Sequence, residues 1–128
     1  GKIHLYPWPE FEDVRTSTPF VQTPEGVGPD GSSLDSEGNL WNAMWGAGCV
    51  VCYSPEGVVK HLLELPFKCP TSCAFGGEDG STLFITSASV GEKDPMTVPF
   101  AGQVVAIDLF KTLGIHVKGA AGQSFAGK

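Results

Sequence analysis

The sequence predicts an all-β fold, and within that class part of a β-propeller. Its 17 glycines and 10 prolines are spread along the 128 residues and separate short apolar runs, which is typical of chains built from short strands. The nearest approach to helical spacing, GVVKHLLELP, has two valines directly after its first glycine and ends at Pro66, which favours a strand. We therefore expect ten strands, near residues 2–6, 18–22, 31–35, 40–44, 49–53, 58–65, 71–75, 82–87, 102–108 and 114–118.

Internal repetition is the observation that favours a propeller. The segment PDGSSLDSEGNLW from Pro29 aligns with PTSCAFGGEDGSTLF from Pro70, and a Gly-x-apolar-x-x-apolar motif begins at Gly1, Gly48 and Gly102. Four-stranded units that recur about every 40 to 50 residues are typical of propeller blades, which cannot bury their apolar faces alone. The alternative is a small open β-sandwich that happens to repeat.

The repeat also predicts how the chain divides into blades. The motif at Gly1 corresponds to the third strand of a blade, so residues 1–27 are expected to end an incomplete blade. A full blade should follow at 28–68, and a second at 69–128, with an inserted loop at 89–101 that could act as a lid and a C-terminal strand. Propellers close with about four to eight blades, so about two and a half should need a homo-oligomer or a preceding half of the protein.

Charge and hydropathy exclude several classes of partner. Eight Lys+Arg stand against 14 Asp+Glu, so no basic stripe is available for nucleic acid. No apolar stretch approaches the roughly 18 residues that span a membrane, and the first residues lack the apolar core of a signal peptide. We expect a cytoplasmic protein, although a chain that opens on Gly1 could lack an upstream targeting segment.

Asp30 is the candidate site residue. It follows Pro29 at the start of an expected innermost strand, and its counterpart in the next unit is Thr71. Innermost strands line the channel of a propeller, so a carboxylate here could bind a hard cation or act as a general base. The alternative is an aspartate that caps its own turn beside glycine.

The cysteines have two interpretations. Cys49 and Cys52, followed by Cys69 and Cys73, approach the spacing of a zinc ribbon. Residues three apart on a strand face opposite sides of the sheet, however, so Cys49 and Cys52 should not share an ion. We favour buried free thiols, which fit a reducing compartment, with a disulfide as the alternative in a secreted protein.

Other polar and aromatic residues give weaker signals. His4, His61 and His116 each stand alone in the sequence, which favours packed or solvated side chains. The stretch DSEGN lacks the spacing of a calcium loop and is expected to form a hairpin turn. Trp41 and Trp45 are expected to pack between blades, with ligand stacking as the alternative.

The motifs together resemble a known family. They are PDGSSLDSEGNLW, then TSCAFGG, then VKG near the end, and they are similar to the C-terminal part of the gluconolactonase, regucalcin (senescence marker protein) and luciferin-regenerating enzyme family. The resemblance implies a six-bladed propeller at least about twice this length, hydrolysis of sugar lactones or related esters, and a divalent metal, Ca²⁺ or Zn²⁺, in the channel. It implies that Asp30 is a metal ligand and the base.

The chain also departs from the family pattern. The other metal ligands expected by resemblance, a Glu in E-x-P-x-W and an Asn that opens a middle blade, are absent and belong to a part that would precede Gly1. Asn42 replaces a small apolar residue, and Cys49 replaces the Arg of G-G-R-V. Because one ligand holds a divalent cation weakly, two hypotheses stand: part of a metal-dependent lactonase, or a non-catalytic half-propeller that self-assembles or needs its N-terminal half.

Overall fold

Nine antiparallel strands and one short helix form the part of the chain that the computed structural model describes, residues 1–7, 13–90 and 97–122. The all-β class predicted from the sequence is confirmed. The elements are β1 (Lys2–Leu5), a 3₁₀ turn (Val14–Thr16), β2 (Thr18–Gln22), β3 (Gly28–Leu34), β4 (Leu40–Trp45), β5 (Cys49–Tyr53), β6 (Val59–Glu64), β7 (Pro70–Gly76), β8 (Thr82–Ser87), β9 (Val104–Asp108) and α1 (Leu109–Leu113).

The strands form meandering sheets in chain order. In the described residues the sheets are β1-β2, then β3-β4-β5-β6, then β7-β8-β9, and every pairing is antiparallel. The third sheet packs on the second through contacts of β7 with β3 and β4. Successive meanders stacked face to face, without a closed barrel, are the arrangement expected for part of a propeller.

The predicted strand at 114–118 is wrong. After β9 the chain forms α1, and Gly114 then adopts a left-handed conformation with a φ of 71°, which glycine reaches without steric cost. The chain next crosses the ends of both larger sheets: the Ser36 N–H donates to the Lys118 carbonyl at 2.8 Å, and the Gly119 N–H donates to the Gly80 carbonyl at 3.0 Å. The third sheet therefore has three strands in the described residues, and the expected lid at 89–101 lies partly outside them.

The second sheet is apolar on both faces. One face contributes Trp41, Val50 and Cys52 to a core shared with the third sheet, and the other contributes Met44 and Val51 to a smaller cluster that faces β2. Burial on both faces explains why β4, LWNAMW, does not alternate between apolar and polar residues.

The four cysteines are buried and free. Cys49 and Cys52 belong to different apolar clusters on opposite faces of β5, as their spacing predicts. Cys73 lies in the larger cluster and directs its Sγ to the Trp41 carbonyl at 3.2 Å, across the boundary between two sheets. The zinc-ribbon interpretation is therefore wrong for these residues, and the interpretation as packed thiols is confirmed.

Candidate functional site

Asp30 lies in a β-bulge of β3. In the pairing of β3 with β4, Pro29 is opposite Met44 and Ser32 is opposite Asn42, so Asp30 and Gly31 are left out of register. A bulge bends the strand and changes the direction of the side chains it carries. The Asp30 side chain is exposed, and neither Asp30 nor Gly31 has a paired residue in β4.

The corresponding strand of the next sheet has a similar irregularity. In the pairing of β7 with β8, Pro70 is opposite Ser87 and Ser72 is opposite Thr86, which leaves Thr71 out of register. Thr71 directs its hydroxyl to that of Thr86 at 2.7 Å. The first strand of each sheet thus has a proline directly before its irregularity, and the residue after that proline is Asp30 in β3 and Thr71 in β7.

Gly31 allows the two strands to approach each other closely. A Cβ added at Gly31 would lie 2.2 Å from the Ser72 Oγ and 2.8 Å from the Ser72 Cα, so a residue with a side chain could not occupy this position without movement of β3 or β7. The glycine of the PDG motif therefore has a packing role, and it joins the two irregular strand segments at one end of the stacked sheets.

Asn42 lies under the bulge that carries Asp30. Its Nδ2 donates to the Asp30 carbonyl at 2.7 Å and to the Ser32 Oγ at 2.6 Å, and the Gly31 carbonyl is 3.5 Å away. The side chain is only 1% exposed. In the sequence, Asn42 stands out only as a departure from the family pattern. The signal for its role is a single amide in the middle of an otherwise apolar strand, LWNAMW.

The described residues do not complete a metal site. They contain no group of three or more His, Cys, Asp or Glu that could hold a metal ion. Asp30 supplies one carboxylate, whereas Ca²⁺ takes six to eight oxygen ligands and Zn²⁺ about four donors. Any cation at Asp30 would need most of its ligands from outside this part of the chain.

The histidines pack with other partners. The Nδ1 of His4 is 3.0 Å from the Ser17 Oγ. His61 stacks on Trp41 with ring centroids 6.1 Å apart, and His116 stacks on Phe110 at 4.2 Å. His4 and His116 are exposed and His61 is half-buried, which agrees with the expectation of packed or solvated side chains.

The DSEGN stretch forms the β3–β4 turn around a buried carboxylate. Asp35 is 1% exposed, and it accepts hydrogen bonds from the side chains of Asn39 and Trp41 and from the backbone N–H groups of Glu37 and Asn39. Burial alone would raise the pKa of Asp35, but these donors together hold it below its usual value. Asp35 therefore stabilises the turn.

Most of the chain is similar to proteins of one known family. The model of the SMP-30/gluconolactonase/LRE-like region matches residues 2–89. The chain belongs to this family. A pentonolactonase of Haloferax volcanii is 40% identical over 100 residues and is matched over 34% of its own length. A 6-deoxy-6-sulfogluconolactonase of Pseudomonas putida is 36% identical over 129 residues, which cover 96% of this chain and 42% of the relative.

Solved structures of the SMP-30/gluconolactonase/LRE-like family agree with the fold. Regucalcin from Agrobacterium tumefaciens, described as a calcium-binding protein, superposes with a TM-score of 0.68 at 37% identity, over 81% of this chain and 34% of that protein. A luciferin-regenerating enzyme gives a TM-score of 0.68 at 28% identity, over 94% of this chain and 40% of that enzyme. The chain spans well under half the length of these relatives. Its described residues contain no helix long and apolar enough to cross a membrane.

Proposed function

We propose that the chain forms part of a lactone hydrolase and that Asp30 provides a carboxylate at its reaction centre. The observation that carries the proposal is the bulge, which leaves an exposed acid out of register near the start of β3. We take β3 to be an inner strand of the propeller. Relatives named as lactonases act on sugar lactones, and we extend that substrate class to the complete protein of which this chain would be a part.

In the proposed reaction, Asp30 accepts a proton from the attacking water. The water oxygen adds to the lactone carbonyl carbon, the ring C–O bond breaks, and the departing ring oxygen takes up the proton that Asp30 had accepted. The product is a hydroxy acid, and Asp30 is again a carboxylate. A divalent cation, Ca²⁺ or Zn²⁺, would supply polarisation of the carbonyl oxygen when bound, and Asp30 would be one of its ligands. Because the described residues offer no complete ligand set, we propose that the remaining ligands lie outside them.

The second candidate function is a non-catalytic module that self-assembles, most simply a homodimer. It is favoured by the third sheet, in which β9 pairs only with β8 among the described residues and leaves its outer edge available. Unpaired strand edges recruit other strands. For the chain on its own we propose this state, and we propose a reducing compartment such as the cytoplasm on the basis of its four free thiols.

The experiment measures hydrolysis of a sugar lactone such as glucono-1,5-lactone in the presence of added Ca²⁺ or Zn²⁺. The readout is the rate of acid release, corrected for spontaneous hydrolysis. We expect this chain alone to be inactive, and we expect activity once the remaining blades are supplied from a relative. Asp30→Asn should abolish that activity while leaving the circular dichroism spectrum unchanged. The control is Glu78→Gln, an exposed acid in the β7–β8 turn. Full activity of Asp30→Asn would refute the role of Asp30.

A further inference from the structure

We propose that Asn42 is a positioning residue for Asp30: its buried carboxamide holds the bulge in the one conformation that presents the acid. The inference rests on the proposed function, because it gives Asn42 a role through the Asp30 carboxylate. Asn42 itself is 1% exposed and does not face solvent.

The acceptors around Asn42 determine the orientation of its carboxamide. Two of the three neighbouring atoms are backbone carbonyl oxygens, of Asp30 at 2.7 Å and of Gly31 at 3.5 Å. Carbonyl oxygens only accept hydrogen bonds, so the amino group must face them and the Oδ1 must point away. In a regular ladder, backbone N–H groups of β4 would donate to these carbonyls, and the bulge disrupts that pairing. The Asn42 carboxamide provides a donor in their place.

The cost of this arrangement argues against a role in packing alone. Among the described residues the Oδ1 of Asn42 has no hydrogen-bond partner, although it is buried. A buried polar atom without a partner is unfavourable, and an apolar side chain at this position would avoid that cost. The donor function of the Nδ2 is therefore the physical reason for an amide here.

The bulge in β7 provides an internal comparison. It is held by Thr86, whose Oγ1 is 2.7 Å from the Thr71 Oγ1 and 3.5 Å from the Ser72 carbonyl. Thr86 is exposed, whereas Asn42 is buried. The bulge that carries Asp30 is thus held by a buried side chain that bonds to its backbone. The bulge in β7 is held by an exposed side chain, and Thr86 is therefore a matched control.

The test uses Mn²⁺ as a probe of the Asp30 carboxylate in this chain. Mn²⁺ prefers oxygen ligands, and as a paramagnetic ion it broadens the NMR signals of amides near the place where it binds. We expect broadening centred on residues 30–32 in the wild type and its loss in Asp30→Asn. Asn42→Val should keep the carboxylate yet lower the apparent Mn²⁺ affinity about tenfold, as is usual when a residue that orients a ligand is removed. Thr86→Val should bind as the wild type does.

Three outcomes would overturn a part of the argument. Equal broadening in Asp30→Asn would refute the proposed role of Asp30, and the inference with it. If the broadening is lost in Asp30→Asn but Asn42→Val binds Mn²⁺ as the wild type does, only the positioning role of Asn42 is refuted. If Thr86→Val lowers the Mn²⁺ affinity as much as Asn42→Val does, then disturbing either bulge has this effect, and the positioning role of Asn42 is also refuted.

A measurement on the wild type covers the case in which Asn42→Val does not fold. If the Nδ2 donates as described, the side-chain amide protons of Asn42 exchange with solvent much more slowly than those of the exposed Gln103. Exchange of Asn42 as fast as that of Gln103 would mean that the carboxamide does not hold the bulge, and would overturn the inference without any variant.

Discussion

The indole Nε1 of Trp41 donates to the Asp35 Oδ2 at 3.0 Å, and both residues are almost completely buried. This bond joins the β3–β4 turn to the largest side chain of the core shared by the second and third sheets. Asp35 also accepts from the backbone of the same turn. One carboxylate therefore holds the hairpin and the core together, and it lies outside the candidate site.

Replacing Asp35 should destabilise the chain and change its response to pH. Asp35→Asn leaves buried donors facing an amino group, so we expect the free energy of unfolding to fall by about 2–4 kcal/mol. In the wild type the folded pKa of Asp35 is below its usual 3.8. Its stabilisation is therefore complete above about pH 5 and is lost as pH falls through 3.8 toward the folded pKa.

Urea unfolding between pH 3 and 7 measures both effects. The variant should lose less stability than the wild type on acidification, since it has no carboxylate to protonate at this position. Asp79→Asn is the control: it lies in the corresponding β7–β8 turn and accepts from Ser81, but it is exposed. A loss for Asp79→Asn as large as that for Asp35→Asn would contradict the role of burial.

Gly31→Ala should push the second and third sheets apart. The new Cβ would be 2.2 Å from the Ser72 Oγ, and we expect a loss of about 1–3 kcal/mol in the free energy of unfolding, as for overpacked cores. Adding Ser72→Gly should restore part of the lost stability, because it removes the Ser72 Oγ. The recovery should be incomplete, because the Ser72 Cα would still be 2.8 Å from the new Cβ. Gly122→Ala, where no atom of the described residues lies within 4 Å of the added Cβ, should be neutral. A neutral Gly31→Ala would show that β3 and β7 are not this close.

All four thiols should be free and should react slowly in the folded chain. Burial, with smaller contributions from nearby charges, raises the pKa of Cys52 to about 12, and burial raises the pKa of Cys73 to about 11. The nucleophilic thiolate is then scarce at pH 8. We expect mass spectrometry to find four alkylated cysteines after unfolding and slow labelling before it. Fewer than four alkylation sites in the unfolded, unreduced chain would indicate a disulfide.

The outer edge of β9, which no strand of the described residues pairs with, should promote self-association. Val104 is 64% exposed in this strand, and a lysine on an edge strand opposes pairing with another chain. Sedimentation equilibrium at micromolar concentration should find an oligomer for the wild type and a shift to monomer for Val104→Lys. Val58→Lys, at a valine that is 62% exposed in the β5–β6 turn, should leave the oligomer unchanged. A well-folded wild-type monomer would contradict the prediction.

The hairpins were predictable from the sequence because their contacts are local. Glycines and prolines mark the turns, and the DSEGN stretch carries the aspartate that accepts hydrogen bonds from its own turn. The segment 114–118 misled the same reasoning, since its alternation resembles a strand. The backbone of Lys118 and of the next residue, Gly119, instead bonds to two separate turns, at Ser36 and Gly80. No local pattern encodes such distant partners.

The sequence by itself determined the all-β class, the repeat, the opposite facing of Cys49 and Cys52, and the choice of Asp30 as candidate. Each depends on spacing along one strand or between repeated units. Only the tertiary structure placed Asp30 in a bulge, brought Gly31 against Ser72 and put Asn42 beneath the acid. The physical reason is that register and strand approach depend on which residues oppose each other across a sheet, and those residues are distant in the chain.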